Sequence, residues 1–190
     1  MLKHLEVKQK RKQQDFKIIP SHDVDAVEFS FKLRSFFGDI IKRRNFLLVI
    51  LKLYNIIFRK NPYNTFDWLL KQSEKNNLVS RFYFMGGGTS KFDSKYNLKR
   101  NNIKNIFQKI KYKNNIVGFH PSYNSYDKPE QFYIEKRNLE NFFNIAVVEG
   151  RQHFLRFKVP TTWQIWEDNK MEIDSTLGYA DYEGFRCGTG

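Results

Sequence analysis

The stretch IKNIFQKIKYKNNIVGFHPSYNS, residues 103–125, contains the unit that decides the fold. Its apolar residues predict a short helix over 103–111 and a strand over 114–119, and the polar loop HPSYNS begins at His120. A helix that leads into a short apolar strand is typical of proteins in which helices alternate with parallel strands. The stretch therefore predicts an α/β fold.

The same alternation continues on both sides of this stretch. Further predicted strands lie at 17–20, at 79–85 and within 146–157, and the short segments EIDST (172–176) and GFRCGTG (184–190) follow. Further predicted helices begin at Phe29, cover 46–58, lie between Asn64 and Asn77, run from Pro129 to about Asn144, and lie near 161–168. This order predicts a mainly parallel sheet, either doubly wound or curved into a barrel.

Length and composition indicate one domain. The 190 residues are 41% hydrophobic and 17% aromatic, which is enough apolar material for one core. We divide the chain into a basic lead-in over 1–16 and one (β/α) domain over 17–190. The single cysteine, Cys187, excludes an internal disulfide framework and a thiolate metal cluster. Because residues 1–16 contain no apolar signal core, we expect a cytoplasmic protein.

The net charge of +13 raises the question of a nucleic-acid partner. The basic residues are spread along the chain, and no known nucleic-acid-reading motif is present. The lysines also accompany many Asn, Ile, Phe and Tyr residues, a composition that an AT-rich coding sequence produces. We therefore predict no nucleic-acid partner and keep nucleic-acid binding as an alternative hypothesis.

The most apolar run of the sequence is FLLVILKLYNIIF, residues 46–58. It has about half the length needed to span a bilayer, and it contains Lys52. We therefore predict a buried helix here rather than a membrane anchor, and no stable membrane insertion.

Polar residues collect where the predicted strands end. They are His22, Asp23, Asp25, His120, Ser122, Asn124, His153 and Arg186. In parallel α/β folds the carboxyl ends of the strands form the active site. Two carboxylates and two histidines that lie together at the carboxyl edge of the sheet could bind a divalent metal and supply a general base beside it.

Each of these residues also has a structural interpretation. Asp23 or Asp25 could cap a helix that begins near Ala26. His153 lies next to apolar residues, Phe154 and Leu155, in a predicted strand, so a core histidine is an equal alternative to a metal ligand. We interpret Arg151 as solvated or ion-paired. The three glycines at 86–88 lack the Lys-Ser/Thr of a phosphate loop, so we do not predict a nucleotide site there.

Five short motifs follow one another in a recognisable order: SHDVD (21–25), GFHPSYNS (118–125), GRQHFLRF (150–157), DSTLGYAD (174–181) and GFRCGTG (184–190). In this order they resemble the polysaccharide deacetylase superfamily with the NodB-type fold, most closely the branch whose first motif reads HDVD. The resemblance covers about residues 17–190. It implies a distorted (β/α) barrel, and because a full barrel needs about 200 residues or more, we expect one that is incomplete at the C-terminus.

The resemblance also implies a metal centre. In this superfamily a divalent metal, commonly zinc, is held by one aspartate and two histidines, and a second aspartate is the general base. On that pattern Asp23 corresponds to the base and Asp25 to the metal ligand. The family's two aspartates are adjacent, whereas Val24 intervenes here, so the two roles could be exchanged.

The second and third motifs imply further residues. His120 matches the first histidine of a His-x-x-x-His pair, but the second position is Asn124. His153 is our candidate for the missing ligand because imidazole is the better zinc donor, and the carbonyl oxygen of Asn124 is the alternative. Arg186 resembles the arginine that orients the catalytic aspartate in the family.

The resemblance therefore implies a metal-dependent hydrolase that removes an acetyl group, most readily an N-acetyl group, from a sugar of a surface polysaccharide or its precursor. Its partner would be an acetylated carbohydrate. The alternative is a barrel that binds glycan without turnover. That alternative rests on the departure at Asn124 and on the family's general acid, a histidine in a late motif. No histidine follows Arg186 to supply it.

Overall fold

The structure, a computed structural model, describes residues 17–28, 41, 44, 46–58, 61–94, 96–179 and 181–182. The predicted lead-in over 1–16, the predicted helix start at Phe29, and the residues Arg186 and Cys187 lie outside these described residues.

Strands and helices alternate along the described chain. The strands are β1 (Ser21–Val24), β2 (Arg81–Phe84), β3 (Ile116–Phe119), β4 (Glu149–Gly150) and β5 (Ile173–Asp174). The helices are α1 (Phe46–Ile57), α2 (Phe66–Lys75), α3 (Asn101–Tyr112), α4 (Pro129–Phe143) and α5 (Thr161–Asp168). Two short 3₁₀ turns, Ser125–Asp127 and His153–Leu155, follow β3 and β4. The predicted α/β fold class is confirmed.

The five strands form one parallel sheet in the order β1-β2-β3-β4-β5. Residues Asp23, Tyr83 and Gly118 lie side by side in its first three strands. The sheet is curled into a half-barrel. Because the order of the described strands never reverses, these strands contain no switch point of the kind that defines a doubly wound sheet, and the barrel alternative is favoured.

Local sequence signals explain the helices next to the sheet. Helix α2 begins after Thr65, carries Asp67 in its first turn, and ends at Lys75 before Asn76. Helix α4 has Pro129 at its first position, where a missing N–H group costs nothing, and ends at Asn144 in the left-handed conformation. The predicted bounds of both helices are confirmed.

The two faces of the sheet differ in character because side chains alternate along each strand. Phe82, Phe84, Val117 and Phe119 form part of the main hydrophobic core together with residues of α2 to α5. The alternate positions carry Arg81 and Tyr83 on β2 and Glu149 on β4, and Nε of Arg81 lies 2.6 Å from the Glu149 carboxylate. The second face is therefore polar, although its side chains are largely buried.

The triple glycine after β2 allows close packing. A Cβ atom at Gly86 would lie 1.9 Å from the carbonyl oxygen of Glu135 in α4. Gly88 has a φ of +108°, which L side chains rarely adopt. Gly86 therefore lets the chain pass against α4 at the carboxyl end of β2, and Gly88 lets it turn beside Asp93 and Ser122.

Two predicted strands lie elsewhere than expected. The strand predicted at 17–20 begins instead at Ser21, because Pro20 has no N–H group and contributes only its carbonyl, which accepts from Arg81. His22 and Asp23 therefore lie within β1 and not after it. The strand predicted within 146–157 is limited to Glu149–Gly150, and His153 lies in the 3₁₀ turn that follows.

The helix predicted over 46–58 is confirmed as α1, but its predicted burial is wrong. Val49 is its one buried residue, and most of its apolar side chains are exposed. A uniformly apolar sequence predicts burial only if other elements cover the helix on all sides, and the exposed fractions of its side chains show that the described elements do not. Within the described residues, no helix combines the length and apolar character needed to cross a membrane.

Candidate metal centre

Three side chains from different parts of the chain meet at the carboxyl end of the sheet. Asp25 follows β1 directly, His120 follows β3, and His153 lies three residues beyond β4. Because parallel strands end at the same edge, these positions come together despite their separation in the sequence. The structure thus groups the three residues that the sequence analysis proposed as metal ligands, Asp25, His120 and His153.

The ligand atoms of the three residues face one another. Nε2 of His120 lies 3.0 Å from Nδ1 of His153. Oδ1 of Asp25 lies 3.5 Å from the His120 nitrogen and 3.7 Å from the His153 nitrogen. Both histidines are buried, whereas Asp25 is exposed, so the cluster has one closed side and one side open to solvent.

Backbone carbonyls fix the protonation of both imidazoles. Nδ1 of His120 lies 2.5 Å from the carbonyl oxygen of Arg151, and Nε2 of His153 lies 3.0 Å from that of Phe92. A carbonyl only accepts, so each of these nitrogens must carry the hydrogen. In neutral rings the two facing nitrogens are then unprotonated. Two lone pairs 3.0 Å apart beside a carboxylate repel one another unless a cation lies between them.

This donor set fits a divalent metal. Tetrahedral zinc sites with bonds of about 2.0–2.1 Å place their ligand atoms about 3.3 Å apart, close to the 3.0, 3.5 and 3.7 Å found here. Two imidazoles and one carboxylate are typical ligands of catalytic zinc, which keeps a fourth position open. The backbone carbonyls on the second ring nitrogens are the usual orienting partners of metal-bound histidines.

The charge of Asp25 suits the same role. Partial burial raises the pKa of Asp25, but the adjacent His120 and His153 lower it by a larger amount, so the pKa lies below its usual value. Asp25 is therefore a carboxylate at neutral pH.

Asp23, the proposed general base, is held by Arg151. The NH1 group of Arg151 lies 3.2 Å from Oδ1 of Asp23, and its NH2 group donates to the hydroxyl of Ser21 at 2.7 Å. The interpretation of Arg151 as ion-paired agrees with this contact. In the described residues Arg151 thus makes the contact that the sequence analysis assigned to Arg186, which lies outside them.

The loop that carries His120 is fixed by a residue that the sequence analysis missed. Glu135 of α4 accepts from the backbone N–H of Ser122 at 2.9 Å and from its hydroxyl at 2.6 Å. Gln152 donates to the carbonyl of Ser122 at 2.7 Å. The sequence of α4 around Glu135 is that of an ordinary amphipathic helix. Only the burial of Glu135 in the folded chain shows that it holds the loop at Ser122.

Asn124, the alternative third ligand, is directed elsewhere. Its side-chain oxygen lies 3.5 Å from NH1 of Arg156. The Arg156 guanidinium lies between the rings of Tyr123 and Tyr126, at 4.0 and 3.9 Å from their centroids, and donates to the carbonyl of Tyr123 at 2.6 Å. Of the two alternatives, the structure therefore groups His153 with Asp25 and His120.

Three aromatic rings lie beside the metal-ligand candidates. Phe92, Tyr123 and Phe154 contact one another with centroid distances of 4.5, 5.4 and 5.5 Å. The ring of Phe154 also lies 4.6 Å from that of His153, yet 61% of Phe154 is exposed. Phe154 has a φ of 57°, a strained conformation for a bulky residue. We call these three residues the aromatic surface.

Compared with known proteins, the chain matches no family model, no curated protein and no solved structure.

Proposed function

We propose that this chain is a metal-dependent hydrolase of the NodB deacetylase type, which removes an acetyl group, most readily N-acetyl, from a sugar of a surface polysaccharide or its precursor. One observation carries the proposal. Two buried imidazoles, each fixed at one ring nitrogen by a backbone carbonyl, direct their second nitrogens at each other and at a carboxylate. This arrangement is typical of catalytic metal sites with two histidines and one carboxylate.

Asp25, His120 and His153 would hold the metal, for which zinc is our first candidate. A divalent metal bound there supplies Lewis acidity towards a carbonyl oxygen and makes water more acidic. Imidazole nitrogen and carboxylate oxygen are both donors that zinc accepts. Because Asp25 is exposed, a substrate can approach from its side of the cluster.

Asp23 would take the proton from the attacking water. Its contact with Arg151 fixes the orientation of the carboxylate, and Ser21 fixes the guanidinium in turn. General bases contribute when they are held in a productive orientation within hydrogen-bond reach of the water. Arg151 acts here as a positioning residue, because it contacts Asp23 rather than the reacting atoms.

The aromatic surface supports a carbohydrate as the substrate. Strained residues cluster at functional sites, and Phe154 is both strained and exposed beside the candidate metal ligand His153, which supports a role for its ring in ligand contact. The apolar face of a sugar ring stacks on aromatic rings of this kind. Phe92 and Phe154 would therefore hold the sugar next to His153.

Metal content is the first test. We would measure it by elemental analysis of the purified chain and of the variants Asp25→Ala, His120→Ala and His153→Ala, with Asn124→Ala as the matched control. We expect one zinc per chain, its loss in the first three variants, and its retention in the control. A folded wild-type chain that takes up no metal after zinc is added would overturn the proposal.

Acetate release from acetylated oligosaccharides is the second measurement. The zinc-loaded chain should release acetate, and Asp23→Asn should retain zinc and lose the activity. Sugar binding without any acetate release by the zinc-loaded chain would instead support a glycan-binding barrel without turnover.

A further inference from the structure

Helix α1 exposes apolar side chains around most of its circumference. Phe46, Ile50 and Ile57 are 64%, 61% and 71% exposed, and Val49 is the one buried residue of the helix. A helix that is apolar all round is normally buried in a core or in a membrane. Contiguous exposed apolar surface of this kind marks a site of interaction.

The charges around α1 all have one sign. Between residues 40 and 66 the sequence contains six basic residues and no acidic residue. Lys42, Arg43 and Arg44 precede the helix, and Arg59 and Lys60 follow it. The apolar helix is therefore flanked at both ends by positive charge.

The length of α1 decides how it could meet a bilayer. Its 12 residues extend over about 18 Å, well short of the roughly 30 Å of a hydrocarbon core. The helix can therefore lie along a membrane surface but cannot cross it. Binding at the boundary between headgroups and acyl chains grows with the apolar area that is buried and with the attraction of basic residues to anionic lipids.

We propose that α1 docks this protein peripherally on an anionic membrane surface. The apolar side chains of α1 would enter the outer part of the bilayer, and the flanking basic residues would contact anionic headgroups. A second copy of the chain is a poorer occupant, because a symmetric contact would bring two strongly basic segments together. This proposal does not depend on the proposed hydrolase activity.

Vesicle binding by the full chain tests the proposal. Cosedimentation would be measured with vesicles of phosphatidylcholine alone and of phosphatidylcholine mixed with phosphatidylglycerol. We expect binding to the mixed vesicles that weakens as salt is raised, and much weaker binding to the neutral vesicles. Absence of binding to the mixed vesicles, or equal binding to both, would overturn the proposal.

Substitutions then separate the two contributions. Ile50→Asn combined with Ile57→Asn should weaken binding by about tenfold or more, because two apolar side chains no longer enter the bilayer. Arg43→Gln and Arg44→Gln should each weaken it by about fivefold. The matched control replaces Trp68 and Tyr112, exposed aromatic residues of α2 and α3, by asparagine and should bind like wild type.

Self-association of the chain through α1 is the alternative that would contradict membrane docking. Because Ile50 and Ile57 are exposed, their replacement should leave the thermal unfolding of the chain unchanged. A dimer in sedimentation velocity that the Ile50→Asn/Ile57→Asn variant abolishes, together with no vesicle binding by wild type, would show that α1 is an interface between copies. That result would contradict the proposal, whereas vesicle binding by a monomer that the same variant loses would support it.

Discussion

Arg151 contacts the candidate site through both its side chain and its backbone. Its guanidinium lies 3.2 Å from the Asp23 carboxylate, and its carbonyl oxygen accepts from Nδ1 of His120 at 2.5 Å. A planar guanidinium offers several donors in a fixed arrangement that a lysine ammonium cannot reproduce. Replacing the side chain should therefore disturb Asp23 and leave the backbone contact with His120 intact.

If the proposed deacetylation holds, we predict that Arg151→Lys lowers its kcat by about 10–100-fold and leaves the zinc content equal to that of wild type. Steady-state kinetics and elemental analysis on the same preparation would check this. The control is Arg137→Lys, which changes an exposed arginine of α4 and should keep the wild-type kcat. Loss of zinc together with activity would show that Arg151 supports the metal ligands and not Asp23.

Glu135 is a buried carboxyl group whose pKa is raised in the folded chain. Burial raises the pKa of Glu135, and the negative charge of Asp93 adds to this, whereas hydrogen bonds from Ser122 and Gln131 act in the opposite direction. The pKa in the folded chain therefore lies above the value of 4.5 for a free side chain. Between these two pKa values the folded chain binds more protons than the unfolded chain.

The raised pKa of Glu135 in the folded chain leads to a prediction for the pH dependence of stability. The contribution of Glu135 is most favourable below pH 4.5 and is lost as the pH rises through the folded pKa. Glu135→Gln removes this titration, so its free energy of unfolding should fall less steeply with rising pH than that of wild type. Urea unfolding at a series of pH values measures the difference. Glu130→Gln, an exposed carboxylate on the same helix, serves as the control. Parallel profiles for wild type and Glu135→Gln would contradict the prediction.

At the scale of elements, the contact between the end of β2 and α4 depends on a missing side chain. A Cβ atom at Gly86 would lie 1.9 Å from the Glu135 carbonyl, and this atom cannot move without displacing the helix. We predict that Gly86→Ala lowers the free energy of unfolding by about 3 kcal/mol. Chemical denaturation would measure this loss.

Gly178 offers a matched control for this prediction. An added Cβ atom at Gly178 meets nothing within 4 Å, so Gly178→Ala should change the free energy of unfolding by no more than about 0.5 kcal/mol. Equal effects at the two glycines would show that the close approach of the β2 end to α4 is not what requires Gly86.

The helices were more predictable from sequence than the strands. Pro129 at the start of α4 and Asn144 at its end act within a few residues of the chain, so their effect is visible in the sequence. Strand bounds depend on which neighbour supplies the hydrogen bonds. The apolar run at 17–20 therefore indicated a strand, although pairing with β2 begins at Ser21.

The site was predictable to the extent that strand ends reveal it. Asp25 and His120 follow strands, and the rule that strand ends form sites in parallel sheets identified both. The predicted strand around His153 was wrong, because the chain turns after Gly150 into a 3₁₀ turn. The contact between the carbonyl oxygen of Arg151 and His120 could not be predicted from the sequence. Every residue has a backbone carbonyl, and only the folded chain determines which one meets the imidazole.

At the scale of the whole molecule, the candidate metal centre joins distant parts of the sheet. Asp25 follows β1, His120 follows β3, and His153 follows β4. A metal held by all three would bind the folded chain and not the unfolded one. Zinc at one hundred times its Kd should therefore raise the free energy of unfolding by about 2.7 kcal/mol.

Thermal unfolding with and without zinc would measure this stabilisation, and a chelator should reverse it. Asp25→Ala should abolish the response, whereas Asn124→Ala should retain it. The same rise in Tm for wild type and Asp25→Ala would place the zinc elsewhere on the chain.

The order of the strands has a consequence for how the chain assembles. Each strand pairs with the strand that precedes it, so the sheet can extend in the order in which the residues leave the ribosome. The candidate metal centre behaves differently, because it is incomplete until His153 has been synthesised and placed. Nascent chains that end before residue 153 could form the first three strands and still lack the metal site.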